Sequence, residues 1–346
     1  MISMGICASV SLYWRGLNQK LLTIVIGCCG LAAFQGSFHK TPPKPGVKTP
    51  GVQIPMSKLK PVASFSIPGA PDWIAVGEDV WVSNKPKGNV TRLDPKSNTV
   101  KQVITGLNKP CSGLAIGFGS LWVPNCGDHT LARIDLMTGK ITTTIPTGIA
   151  NSEGGIAVGA GSVWMVSDEH GSLARFDPRS NKVSATVALK EGCYVPAFGY
   201  GSLWVSCTKQ NSVIRVDPKS NKIVSETPVG PEPRFLTTGE GGVWTLNQGN
   251  GSVTRLSPRD GKVEASIELG IPGEGGDISA GEGSVWATTM NLPITRIDPT
   301  TNKVVQQFVG PGGDALRAQG GSVWLSNYML GIELRFNPKA IFSASR

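Results

Sequence analysis

Along residues 60–340, short runs rich in Val, Ile, Thr and Trp alternate with turns containing Gly, Asn and Pro. That pattern marks strands joined by tight turns, and no segment keeps a helical apolar period. Residues 113–146 show the scheme. Runs fall at 113–116, 121–124, 131–135 and 141–146, with a Gly-rich turn at 117–119. Four short strands in sequence predict one antiparallel sheet.

The scheme then repeats. A motif of the form Gly-x-Val/Leu-Trp places Trp81, Trp122, Trp164, Trp204, Trp244, Trp286 and Trp324 at spacings of 41, 42, 40, 40, 42 and 38 residues. About ten residues after each comes Arg-apolar-Asp-Pro or a close variant, starting at Arg92, Arg133, Arg175, Arg215, Arg255, Arg296 and Arg335. Repeats of this length with four strands each predict an all-β, seven-bladed β-propeller of four-stranded blades. The last unit lacks a well-formed fourth strand, and residues 62–69 supply one before the first Trp. An N-terminal strand is therefore expected to complete the last blade and close the ring, leaving no open sheet edge.

The repeated residues read as builders of blades. Asp94, Asp135, Asp177, Asp217 and Asp298 open turns in which Asp accepts backbone N–H bonds and Asn or Gly takes a left-handed conformation. The Arg residues are expected to pair or stack between blades, and the Trp residues to fill the space between sheets.

These motifs, with GSVW, RIDP and TNKVVQQFVG among them, resemble the YVTN/NHL-type seven-bladed propellers, a group that includes the streptogramin B lyases. The resemblance covers residues 60–340. It implies the fold, and as one possible activity a lyase that uses His and Glu groups with a divalent cation such as Mg. In those lyases the loops leading into the inner strands carry His; none does here. Glu153 and Glu274 would stand for the acidic groups, and the histidine role would fall to His129 or His170. A lactonase-like hydrolase is a related alternative.

Before the repeats, residues 21–34 (LLTIVIGCCGLAAF) form a short uncharged stretch behind Arg15 and Lys20. It is too short to span a bilayer and reads as an export signal, assigned to residues 1–36. VIGC resembles a lipobox, which would make Cys28 a lipidated N-terminus and the only membrane attachment; ordinary signal-peptide residues are the other reading. Residues 37–60, rich in Pro and Lys, read as an extended tether, residues 61–340 as the propeller, and 341–346 as a tail. The net charge of +9 changes little, because residues 1–60 hold seven basic residues and no acidic one. The remaining body is nearly balanced, which disfavours a nucleic-acid partner.

Four cysteines remain in the body. Cys111 and Cys193 each lie eleven residues before a blade Trp, and Cys126 and Cys207 just after it. Neighbouring antiparallel strands bring such positions within disulfide reach, so Cys111–Cys126 and Cys193–Cys207 are expected bonds.

A binding site must lie where the repeat breaks, on the face formed by the loops into each inner strand and between second and third strands. Those loops offer Asp72, Trp73, Tyr194, Arg234, Asp277 and Asp314 as ligand-binding candidates. Asp168, Glu169 and His170 could hold a divalent cation, Mg or Ca, although solvated loop charges fit the same positions. The leading expectation is an exported, monomeric propeller that binds a small molecule or a protein at this face. The alternative is a metal-dependent lyase or lactonase.

Overall fold

The computed structural model describes residues 46–148, 154–167, 170–273 and 275–344. Seven antiparallel sheets form a propeller ring. The inner strands of the blades are, in order, Pro71–Val76, Ala115–Gly117, Ile156–Gly159, Cys193–Gly199, Pro233–Gly239, Asp277–Gly281 and Leu316–Gln319. Each blade then runs outward in sequence order, strand beside strand. In the last blade, Ala63–Ser66 lies antiparallel to Ile332–Phe336, with Ala63 opposite Arg335 and Ser66 opposite Ile332. Residues from both ends of the propeller sequence thus share one sheet.

The core lies between the blades. All seven repeat Trp side chains are among the largest fully buried groups. A guanidinium covers the Trp of the same sheet in six blades, at 4.8 Å for Arg133 over Trp122 and 4.9 Å for Arg175 over Trp164. The same Arg reaches the next blade: Arg133 Nη1 donates to Pro178 O (2.7 Å) and Asn181 Oδ1 (2.9 Å), and Arg175 repeats this with Pro218 and Asn221. Arg335 closes the circle onto Pro95 and Asn98 of the first blade. One cation therefore stacks within its sheet and satisfies carbonyls of its neighbour, joining blades where hydrophobic packing alone would let them slide.

The Asp-Pro turns show why Asp recurs. Asp94 accepts from Lys96 N (2.7 Å) and Asp298 from Thr300 N (2.8 Å). These backbone bonds hold both carboxyls below the usual aspartate range. Asn98, Asn181, Asn221 and Asn302 close the turns at φ near +55°, a conformation Asn tolerates.

Three features depart from the sequence reading or lie beyond its reach. Within the expected 37–60 tether, Gln53–Pro55 forms a fifth strand, parallel to Lys303–Val309 of the sixth blade. Ile54 and Leu59 are buried in a cluster with Trp286, Ile294 and Phe308 of that blade, so the added strand takes apolar surface out of water. The expected tail is partly a helix, Pro338–Ser343, with Ile341 buried. The leader and Cys28 lie outside the described residues. Among the described residues, no helix is long and apolar enough to cross a membrane.

Cys111–Cys126 and Cys193–Cys207 are paired as disulfides, with Cα separations of 5.9 and 3.8 Å. Cys193 and Cys207 sit directly opposite each other in the fourth blade.

Candidate functional site

The inner strands surround an axial cavity of about 320 Å³. Its walls are mostly aliphatic residues of the inner strands, which approach closely: a Cβ on Gly155 would meet Val195, and one on Gly159 would meet the Phe198 ring. Trp73 breaks this pattern. It stands at the start of the first inner strand, outside the Trp repeat, and lies 5.9 Å from the Phe235 ring of the fifth blade. A side chain from blade one thus meets one from blade five, and Trp73 lines both the axial cavity and a smaller pocket at its mouth.

That mouth pocket encloses about 20 Å³ and is lined by Asp72, Trp73, Phe235, Asp277, Asp314 and their backbone neighbours. It has room for one small group. The loops of blades one, five, six and seven build it. Gly275 and Gly276 keep its wall low; a Cβ on Gly276 would strike Thr288 O. Four of the six ligand-binding candidates, Asp72, Trp73, Asp277 and Asp314, come together here. The other two, Tyr194 and Arg234, stack on each other with the guanidinium 4.3 Å over the phenol ring.

The groups of the pocket differ in burial. Asp277 is buried and heavily engaged: it accepts from Ile278 N (2.8 Å), Leu316 N (3.1 Å) and the Arg317 guanidinium. Burial holds its carboxyl above the usual range, and the Arg317 charge and the two N–H groups pull against that. Asp277 is thus a structural anchor that fixes the loop of blade six onto blade seven. Asp72 and Asp314 are half-buried. The indole Nε1 of Trp73 is buried and has no hydrogen-bond partner. A buried donor left unpaired costs about 1–3 kcal/mol, and this N–H can only donate.

The histidine candidates stand elsewhere. His129 and His170 are exposed in loops of blades two and three. The backbone carbonyl of His129, in a left-handed conformation, accepts from Thr147 N and Gly148 N, so the residue shapes a turn. The charge of His170 bears on Glu191 of the fourth blade, whose carboxyl is held low first by its bond to Lys209. Glu153, Asp168, Glu169 and Glu274 lie outside the described residues. Among the described residues, no three His, Cys, Asp or Glu side chains converge as a cation site. The described residues therefore do not by themselves fit the divalent cation that the lyase resemblance implies.

Sequence reasoning missed Phe235 as a partner of Trp73, Arg317 as the partner of Asp277, and Glu333, a buried carboxyl behind the mouth. Only Glu333 left a sequence signal: it is an acid at a repeat position that is otherwise apolar.

A scan against family models and a search of curated proteins gave no match. Solved structures do match. A streptogramin B lyase structure is 19% identical with a TM-score of 0.67, covering 79% of this chain and 97% of its own. A catalytically inactive variant of virginiamycin B lyase from Staphylococcus aureus, solved with quinupristin, is 17% identical with a TM-score of 0.68, covering 79% of this chain and 98% of its own. A selenomethionine form of that enzyme matches equally. What is shared at these identities is the architecture: this chain has the seven-bladed β-propeller fold of the streptogramin B lyases.

Proposed function

We propose that the propeller is an exported binding protein that takes a compact cationic ligand, an amine with a carbonyl beside it, at the axial mouth. The observation that carries this reading is that Asp72 and Asp314 line one small pocket together with the aromatic side chains of Trp73 and Phe235. The carboxylates and the aromatic side chains of Trp73 and Phe235 favour a cation, and the polar backbone of the pocket's glycine wall suits a carbonyl-bearing amine. The small pocket takes a head group, not a whole bulky ligand. Two disulfides in the body suit an oxidising compartment, which supports export.

The test is calorimetric titration of the full chain with alaninamide, with its N-acetylated form as control. Binding of the free amine, lost in Asp72→Asn with Asp314→Asn, supports the reading. Equal binding of the acetylated form refutes it. The likeness to streptogramin B lyases favours a second reading, a metal-assisted lyase. Linearisation of quinupristin by the purified chain with added MgCl2 would decide for that reading.

A further inference from the structure

The boundary between the last and first blades holds an acid for which the repeat makes no provision. Two residues before the repeated Arg, six blades place Val90, Leu131, Leu173, Val213, Val253 and Ile294, all buried. The seventh places Glu333, which is 0% exposed. It stands opposite Phe65 of the closing strand and Ser326 of the second strand. An ionised carboxylate here would be stripped of water with no cation to balance it.

Ser326 Oγ lies 2.8 Å from Glu333 Oε2 and also 2.8 Å from the carbonyl oxygen of Asp72. A serine hydroxyl has a single proton to give. The Asp72 carbonyl can only accept, so the Ser326 proton belongs there. Glu333 must then be the donor to Ser326 Oγ, which requires a protonated carboxyl. The second oxygen, Oε1, is buried without a partner, as suits a neutral acid better than an anion. If Glu333 ionises, it becomes acceptor-only and competes for the Ser326 proton. The Asp72 carbonyl then loses its donor. That carbonyl shares its peptide unit with Trp73 N, which donates to Ser83 Oγ at 3.1 Å.

We propose that Glu333 is a positioning residue which, in its protonated form, acts through Ser326 to fix the Asp72–Trp73 peptide at the mouth, and whose ionisation releases it. The consequence for binding rests on the mouth being the ligand site; the relay does not. Burial pushes the Glu333 carboxyl up to about 8, against the Ser326 hydroxyl and the Leu325 N–H, which lower it. The release therefore falls in a mildly alkaline range.

The elements around Glu333 leave it isolated. The closing strand Ala63–Ser66 and the second strands Val80–Asn84 and Ser322–Asn327 carry no ionisable side chain. The neighbouring strands carry Asp72, Arg92, Asp94, Arg317 and Arg335. Arg92 is held by Asp79, Arg317 by Asp277, and Arg335 by Pro95 and Asn98. Asp94 is engaged in its own turn, and Asp72 meets the relay through its carbonyl.

The test is a ligand-free pH titration by NMR, from about pH 5 to about pH 10, of full chain labelled at glutamate carboxyls and backbone nitrogens. In wild type, the Glu333 carboxyl and the Trp73 amide should shift together, with a midpoint far above that of an ordinary glutamate. In Glu333→Gln, whose amide still donates to Ser326, the Trp73 amide should stay at its low-pH position throughout. In Ser326→Ala, Glu333 should titrate while the Trp73 amide stays still. An ordinary Glu333 midpoint overturns the proposal. So does a Trp73 amide that is silent in wild type, or one that titrates with Glu333 in Ser326→Ala, and the last two need no Gln variant to fold. Failure of alaninamide to bind would leave these results untouched and would refute only the ligand reading.

Discussion

Phe342 stacks on Trp286 with ring centroids 6.0 Å apart and planes 11° from parallel. The Arg296 guanidinium lies over the same Phe342 ring, 4.6 Å from its centroid. In the other six blades the Arg lies directly over the Trp. In blade six both the Trp and the Arg contact a residue of the C-terminal helix, Phe342. The physical reason is in the last blade. In four blades the Arg bonds a Pro carbonyl and an Asn amide oxygen in the next blade's turn; in the last blade that turn runs into the helix Pro338–Ser343 instead. Gln306 completes the substitute by donating to Ile341 O (2.8 Å) and Ala344 O (2.9 Å).

Phe342→Ala should therefore destabilise the propeller although Phe342 is a partly exposed terminal residue. Loss of the stack and exposure of Trp286 should cost about 1–3 kcal/mol, within the range for losing aromatic packing. Urea denaturation followed by Trp fluorescence would measure it. A midpoint unchanged from wild type would show that the helix merely rests on the blade.

Arg317, a quarter exposed, pairs with the buried Asp277 between blades six and seven. Removing the cation strands a carboxylate that is 3% exposed. Arg317→Met should cost about 3–5 kcal/mol, the usual penalty for an uncompensated buried charge. Replacing both, with Asp277→Asn beside Arg317→Met, should recover much of that loss. A double-variant melt no better than the single one would mean that the loop geometry, not the charge, is what Asp277 secures.

The contrast between these two sites and the repeat shows what a linear sequence can carry. Trp122, Arg133 and Asp135 were legible because the same local problem recurs in every blade, and its solution recurs with it. Cys193 and Cys207 were legible because a hairpin fixes their distance from the chain alone. The Trp73–Phe235 and Asp277–Arg317 contacts each occur once and join residues far apart in sequence, so no period announces them. Gln53–Pro55 was read as part of a tether because Pro and Lys dominate its surroundings; three residues with one apolar side chain give no alternation to detect. Asp72, Trp73, Asp277 and Asp314 were singled out as breaks in the repeat, and their convergence needed the ring.

The disulfides carry a separate expectation. They close loops of 15 and 14 residues, each worth about 3 kcal/mol if the effect is unfolded-chain entropy. Cys193→Ser with Cys207→Ser should lower the thermal midpoint, and reduction of wild type, which also opens Cys111–Cys126, should lower it further. Peptide mapping without reduction checks the pairing itself. Recovery of free thiols at Cys111 or Cys193 would contradict it.

Glu333 also fixes how stability depends on pH. Its native value of about 8 lies above the ordinary 4.5, so the folded state holds this proton more tightly than the unfolded chain. The stability it contributes is fully present below about pH 4.5 and is lost as pH rises toward 8, then levels off. Within that window the slope approaches 1.4 kcal/mol per pH unit at 25 °C. Asp94 and Asp177, whose values are lowered first by backbone N–H groups, and Asp217, lowered first by the Ser220 hydroxyl, act in the opposite sense and lose their contribution only in more acidic solution. Stability should thus peak near pH 5 and decline toward pH 8. Glu333→Leu, which installs the kind of side chain that other blades carry, should flatten the decline and raise stability most at the alkaline end. Denaturant midpoints for both proteins at several pH values test this. Parallel pH profiles would place the native ionisation of Glu333 close to that of the unfolded chain, and the burial argument would fail.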